Sequence, residues 1–149
     1  MTVPAVRHTV YLHATPEHVW HALTNADESG VYWGHRNVST WLPGAAWEHR
    51  RTDDSGIADV VGTVVEVERP HRLVTTWAGP DEHRPGGPSR VTFRLQGHRD
   101  LTRLVVTHEN LADEREQAEA EAGWSAVLSN LKTYLETGRP LPQEPWLMP

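Results

Sequence analysis

Apolar positions along the chain follow two periods, and their order predicts the architecture. Residues 6–13 alternate, with Val6, His8, Val10 and Leu12 on one face and Arg7, Thr9, Tyr11 and His13 on the other. That is the period of a half-buried strand. Thr15-Pro16 then supplies an N-cap and a first helical residue whose missing N–H costs nothing. Val19, Trp20 and Leu23 form the buried stripe of a short helix. Residues 27–34 predict a second short helix, capped by Asp27, weakened by Gly30 and stopped at Gly34. The chain then returns to strands, expected over 38–41, 46–52, 57–69, 72–78, 89–96 and 101–109. Turn signals part them at Pro43-Gly44, Asp53-Asp54-Ser55-Gly56, Pro70-His71 and Gly97-His98-Arg99-Asp100, with a proline- and glycine-rich loop over 79–88. Gly62, inside the long valine-rich strand, predicts a bulge or bend.

A final helix is expected from about Asp113. Trp124, Val127, Leu128, Leu131, Tyr134 and Leu135 fall at the spacing of a core-facing stripe, and Gly138 ends it. The acidic run 113–121 reads as a solvated face of the same helix. Residues 139–149 carry four prolines and cannot be helical throughout. The organisation expected is one domain over 1–138 followed by a proline-rich tail over 139–149, without internal repeats. One long helix covers a sheet many strands wide incompletely, and the shortfall is a cavity. Function is therefore expected in what that cavity holds.

Composition narrows the partners. With 149 residues, 38% of them hydrophobic, and a mean hydropathy of −0.57, the chain reads as a soluble globular protein. No apolar run approaches the roughly 20 residues of a membrane span. The N-terminal stretch Met1-Thr2-Val3-Pro4-Ala5-Val6-Arg7 lacks the apolar core of a signal peptide. Without cysteine, disulfides and zinc–thiolate sites are excluded, and a cytoplasmic location is expected. A net charge of −6 argues against nonspecific nucleic-acid binding. The partner expected is a small apolar or aromatic ligand, with no nucleic acid, membrane, cofactor or metal, on a monomer or homodimer. His18 and His21 have a spacing that could bind metal, but Val19, Trp20 and Leu23 mark the buried face and turn both histidines to solvent. No nucleophile elbow occurs, and Pro85-Gly86-Gly87-Pro88 lacks the lysine and helix of a phosphate loop.

Seven tryptophans against one phenylalanine make the aromatic set the chemical lead. The candidate cavity-lining residues are Trp33, Trp47, Trp77, Phe93, His108, Trp124, Leu128 and Leu131. Such rings either line a pocket with a few orienting polar groups or fill the interior and leave none. His108 shares the inward face of its strand with Leu104 and Val106. It is either a hydrogen-bonded core residue or a polar group on the cavity wall, able to orient a ligand or exchange a proton.

Several motifs, in order, resemble one family. Thr15-Pro16-Glu17-His18-Val19-Trp20-His21-Ala22-Leu23-Thr24 resembles the opening "sPeeVWeALT" of START/Bet v 1-like proteins. More narrowly, it resembles the branch named after the activator of the heat-shock protein 90 ATPase. Val31-Tyr32-Trp33-Gly34 is similar to that branch's "rWWG", with Tyr32 where a second tryptophan is frequent. Gly62-Thr63-Val64-Val65-Glu66-Val67, Pro70-His71-Arg72-Leu73-Val74-Thr75-Thr76-Trp77, Ser89-Arg90-Val91-Thr92-Phe93 and Thr102-Arg103-Leu104-Val105-Val106-Thr107-His108 follow. Gly123-Trp124 and Leu128-Ser129-Asn130-Leu131-Lys132-Thr133-Tyr134-Leu135-Glu136 complete a match over roughly residues 5–138. The resemblance implies an α+β helix-grip fold, in which a curved antiparallel sheet of about seven strands surrounds a long C-terminal helix and two short helices follow the first strand. The superfamily contains lipid and hormone binders, polyketide aromatase/cyclases and co-chaperones. Small-molecule binding between sheet and helix is the function expected. One alternative is a cyclase- or hydrolase-like enzyme acting on a bound aromatic or polyketide, drawing on His108, His49, Arg90 or Glu48. Another is a co-chaperone-like interaction module, for which the tail Pro145-Trp146-Leu147-Met148-Pro149 is the apolar candidate.

Overall fold

In the computed structural model, which describes residues 3–149, the two periods become a sheet and the helix it grips. Met1 and Thr2, at the head of the stretch considered above for a signal peptide, lie outside the described residues. Strand β1 (Val6–Leu12) leads into α1 (Pro16–Thr24) and α2 (Ala26–Tyr32). Strands β2 (His35–Ser39), β3 (Ala46–Arg51), β4 (Ala58–Glu68), β5 (Arg72–Trp77), β6 (Ser89–His98) and β7 (Leu101–Glu109) follow, and α3 (Glu114–Thr137) closes the fold. All seven strands form one antiparallel sheet in the order β1-β7-β6-β5-β4-β3-β2. This is the α+β helix-grip architecture. The chain leaves one sheet edge at β1 and re-enters at the opposite edge, β2, so α1 and α2 bridge the two edges.

Capping chemistry sets the helix ends. The Thr15 side chain accepts from His18 N and opens α1, and the Asp113 side chain accepts from Glu116 N and opens α3. Gly138 ends α3 in the left-handed region, at φ 80°. The cap of α2 is Asn25, not Asp27, because Asn25 Oδ1 accepts from Glu28 N and the helix begins one residue before Asp27. Strand β2 starts at His35, earlier than the 38–41 expected. Its first residues pair with Arg51 and Arg50, whereas Trp41 beyond its end is turned to φ 60°. The Trp41 indole N–H donates to Thr24 O at 2.8 Å and holds that turn.

Sheet curvature comes from β4. Its register slips against β3 at Asp59 and against β5 at Val65, and each extra residue bends the strand. Gly62 lies between the two bulges and serves a different purpose. Trp47, its cross-strand partner, passes over it to donate its indole N–H to Thr76 O at 2.9 Å. A Cβ on Gly62 would run into both the Thr76 carbonyl oxygen and the Trp47 indole nitrogen.

The C-terminal half of α3 is tied to β1 and to α2. Lys132 Nζ donates to Tyr11 O at 2.7 Å, and His13 N donates to Glu136 Oε2 at 2.8 Å, joining α3 to β1. Asn130 Nδ2 donates to Tyr32 O at 2.7 Å, joining it to α2. Val127, Leu128 and Leu131 are buried against Leu12, Val19, Leu104 and Val106 in the core. The tail folds back on this helix. Leu141 N donates to Asn130 Oδ1 at 2.6 Å, and a single 3-10 turn, Pro145–Leu147, follows. No helix among the described residues is long and apolar enough to cross a membrane.

Candidate functional site

Strands β2, β3, β5 and β7 and one face of α3 enclose between them a cavity of about 390 Å³. Trp33 at the end of α2, His35 on β2, His49 on β3, Trp77 on β5 and His108 on β7 form its sheet side. Glu116, Glu119, Ala120, Gly123, Trp124 and Val127 of α3 form the other. Ala78, Gly79 and Glu82 of the following loop and Trp146 of the tail complete the wall. Its volume falls in the range of small-molecule sites.

Four indoles dominate the cavity. Trp33 and Trp77 lie nearly parallel with centroids 6.3 Å apart, and Trp124 meets both at 5.6 and 5.3 Å. Behind Trp33 and Trp77 a second void of only about 10 Å³ remains, lined in part by Trp47 and Phe93. The rings therefore do both things the sequence left open. They fill the deep interior and leave open space in front of it.

Two buried histidines sit in that wall in different states. At His108, the Trp124 indole N–H donates to Nδ1 at 3.1 Å, and an indole can only donate. Nδ1 is thus the acceptor, and the proton of the neutral ring sits on Nε2, which donates to Ser89 Oγ at 2.8 Å. Ser89 Oγ–H in turn donates to Trp77 O at 2.6 Å. Both ring nitrogens are used inside the protein, and burial pulls the His108 pKa down to about 4, against a smaller opposing pull from Glu116.

His49 is closed on one side only. Asn37 Nδ2 donates to Leu23 O at 2.9 Å, which turns Asn37 Oδ1 toward His49 Nδ1 at 2.6 Å. Nδ1 therefore carries the proton, and Nε2 is a bare lone pair with no protein partner. The residue is only 5% exposed, and burial followed by the neighbouring His35 lowers its pKa to about 3. His35 stacks face to face on His49 at 4.3 Å. Its Nε2 bonds Asp59 Oδ2 at 2.8 Å, and Asp59 also accepts from Arg51 at 2.9 Å. These partners hold the Asp59 carboxyl well below its ordinary range.

Of the residues singled out in the sequence, Trp33, Trp77, His108 and Trp124 line the cavity. Trp47, Phe93, Leu128 and Leu131 sit in the core beneath it. Tyr32 also faces the core: its hydroxyl donates to Ala22 O at 2.8 Å, and burial raises its pKa. The acidic run is not wholly a solvated face. Glu116 and Glu119 border the cavity, and Glu116 pairs with Arg84 at 2.8 Å. Trp146, His35 and Glu82 were missed as wall residues. The fold alone brings them there, although Gly34 signals the tail contact: a Cβ at its φ of +74° would lie 2.8 Å from Trp146 Cζ2. Among the described residues no group of three or more His, Cys, Asp or Glu is arranged to hold a metal ion.

Comparison with known proteins agrees with this architecture. The Aha1 dimer from Colwellia psychrerythraea superposes with a TM-score of 0.75 at 21% identity, covering 91% of this chain and 98% of that one. BPP1335 of Bordetella parapertussis gives 0.72 at 28% identity, covering 97% and 80%. DynU16, a protein of the dynemicin biosynthetic locus, gives 0.73 at 27% identity over 91% of this chain. The chain spans about half of DynU16, 48% of its length. No curated protein sequence matches significantly. The family described as activator of Hsp90 ATPase homolog 1-like protein matches residues 13–136. That stretch is most of the chain and holds every strand from β2 to β7 with α1, α2 and nearly all of α3, and the protein belongs to this family.

Proposed function

We propose that the protein binds a small, largely apolar or aromatic molecule in the cavity between the sheet and the first half of α3. The observation that carries this is the wall itself: four indoles enclose the space, and the His49 Nε2 lone pair is left without a partner beside them. That nitrogen opens onto the cavity as an acceptor, and a few such polar groups among apolar walls are what orients a small ligand. Binding is preferred to catalysis because His108, the most inward imidazole of the sequence reading, has neither nitrogen free for proton transfer. A chaperone-type interaction through the tail is less favoured because Trp146 is turned onto the cavity. The similarity to DynU16, from a biosynthetic locus, accords with a small-molecule role. The same reading keeps the protein in the cytoplasm, as a monomer or homodimer. The test is native mass spectrometry of freshly purified protein, followed by tryptophan-fluorescence titration with a library of one- to three-ring aromatics. Saturable quenching is expected. A broad library that moves neither the mass nor the fluorescence refutes the proposal.

A further inference from the structure

The charges around the cavity deepen the binding reading, on which the following rests. The ionised side chains that border it are Glu82, Glu116 and Glu119, and no lysine or arginine does. Arg84 stands behind Glu82 and Glu116 rather than in the cavity wall, and each of its three nitrogens already donates within the protein. Nε donates to Gly87 O, Nη1 to Glu116 and Nη2 to Asn110 O. Arg115 pairs outward with Glu119 at 3.1 Å. His35 directs its Nε2 to Asp59, and His108 is closed on both nitrogens. Among the described residues, no lysine or arginine lines the cavity to meet an anionic ligand. The acceptor left open on the wall is the lone pair of His49 Nε2, on a residue only 5% exposed.

We infer that the ligand is an organic cation, an aromatic or compact apolar body bearing a protonated amine. Its ammonium N–H donates to His49 Nε2, and its charge lies against the indole faces of Trp33, Trp77 and Trp124 with the glutamates beyond. Indole faces carry negative electrostatic potential and attract desolvated cations. A carboxylate in the same place would lose its hydration without a compensating charge. Indole N–H groups can donate to neutral acceptors but supply no such charge. The net charge of −6 also favours the approach of a cation over an anion.

A matched panel on one ring system separates the outcomes. 2-Naphthylmethylamine, 2-naphthylmethanol and 2-naphthoate are titrated at pH 7.5 and 0.15 M salt by calorimetry and tryptophan fluorescence. The amine should bind about tenfold tighter than the alcohol, with the carboxylate weakest. In the wall variant Glu82→Gln/Glu119→Gln, which spares the Arg84–Glu116 pair, the amine should lose about threefold more affinity than the alcohol does. If the alcohol or the carboxylate binds as well as or better than the amine, the cation inference is overturned and the cavity reading stands. If no member of the panel binds, both fall.

Discussion

Lowering the pH from 7.5 to 5.0 should remove about 4 kcal/mol of folding stability, through two histidines. His49 and His108 are held neutral in the fold, with pKa values of about 3 and about 4, against an ordinary value of 6.5. The sign follows from proton counting. Below pH 6.5 the unfolded chain takes up a proton at each site and the folded protein does not, so stability falls as pH falls. The contribution is complete above pH 6.5 and is lost down to the folded pKa values. At pH 5.0 each site has lost about 1.5 pH units at 1.36 kcal/mol per unit, or about 2 kcal/mol. The total is a large share of the roughly 5–15 kcal/mol that holds a typical domain. Carboxylates with lowered pKa, such as Asp59 and Glu136, also lose stability in acid, but only through the carboxylate range below about pH 4.5. Urea unfolding at half-unit pH steps reads the slope. His49→Asn and His108→Gln each remove one titrating group, so each variant should lose about half the slope between pH 6.5 and 5.0, whatever its stability at pH 7.5. A flat stability over that range in the parent protein, or an undiminished slope in both variants, refutes the reasoning.

Three further outcomes follow from single contacts. Ser89→Ala removes the acceptor of His108 Nε2–H and the donor to Trp77 O. It should cost about 1–3 kcal/mol in urea unfolding, and most of that cost should vanish in a His108→Leu background. Gly62→Ala drives a methyl into Thr76 O and the Trp47 indole and should cost about 2–3 kcal/mol. Loss of the Trp47 indole N–H resonance position in the same variant checks the mechanism. Trp146→Ala removes one wall of the cavity. Losing about 50 Å² of indole contact at 25 cal/mol per Å² should weaken an aromatic probe about tenfold, with unfolding at pH 7.5 nearly unchanged.

Much of the fold was legible because its signals are local. Asp113 and Gly138 bracket α3 by capping chemistry, and the stripe from Trp124 to Leu135 follows from spacing. His108 reads inward because a strand alternates strictly, and it is 5% exposed. The site was less legible because a cavity wall need not be apolar. Glu116, Ala120, Gly123 and Val127 lie at i, i+4, i+7 and i+11 on one helical face, and that face continues the core stripe into small and acidic residues. Hydrophobic periodicity assigns such a face to solvent. The pairing of His49 with Asn37, and of His35 with Asp59 through a bulge in β4, depends on register across the sheet. Nothing in the linear order carries it. Trp146 reaches the cavity through a tail anchored by Asn130, eleven residues before Leu141.

The most direct test follows the indole N–H resonances of all seven tryptophans during titration with an aromatic probe that quenches fluorescence. Site-specific assignment by single substitution distinguishes the wall from the core. The signals of Trp33, Trp77, Trp124 and Trp146 should shift saturably and together. Those of Trp20, Trp41 and Trp47, which do not line the cavity, should move far less. Equal shifts of all seven, or shifts confined to Trp20, Trp41 and Trp47, would contradict binding in this cavity.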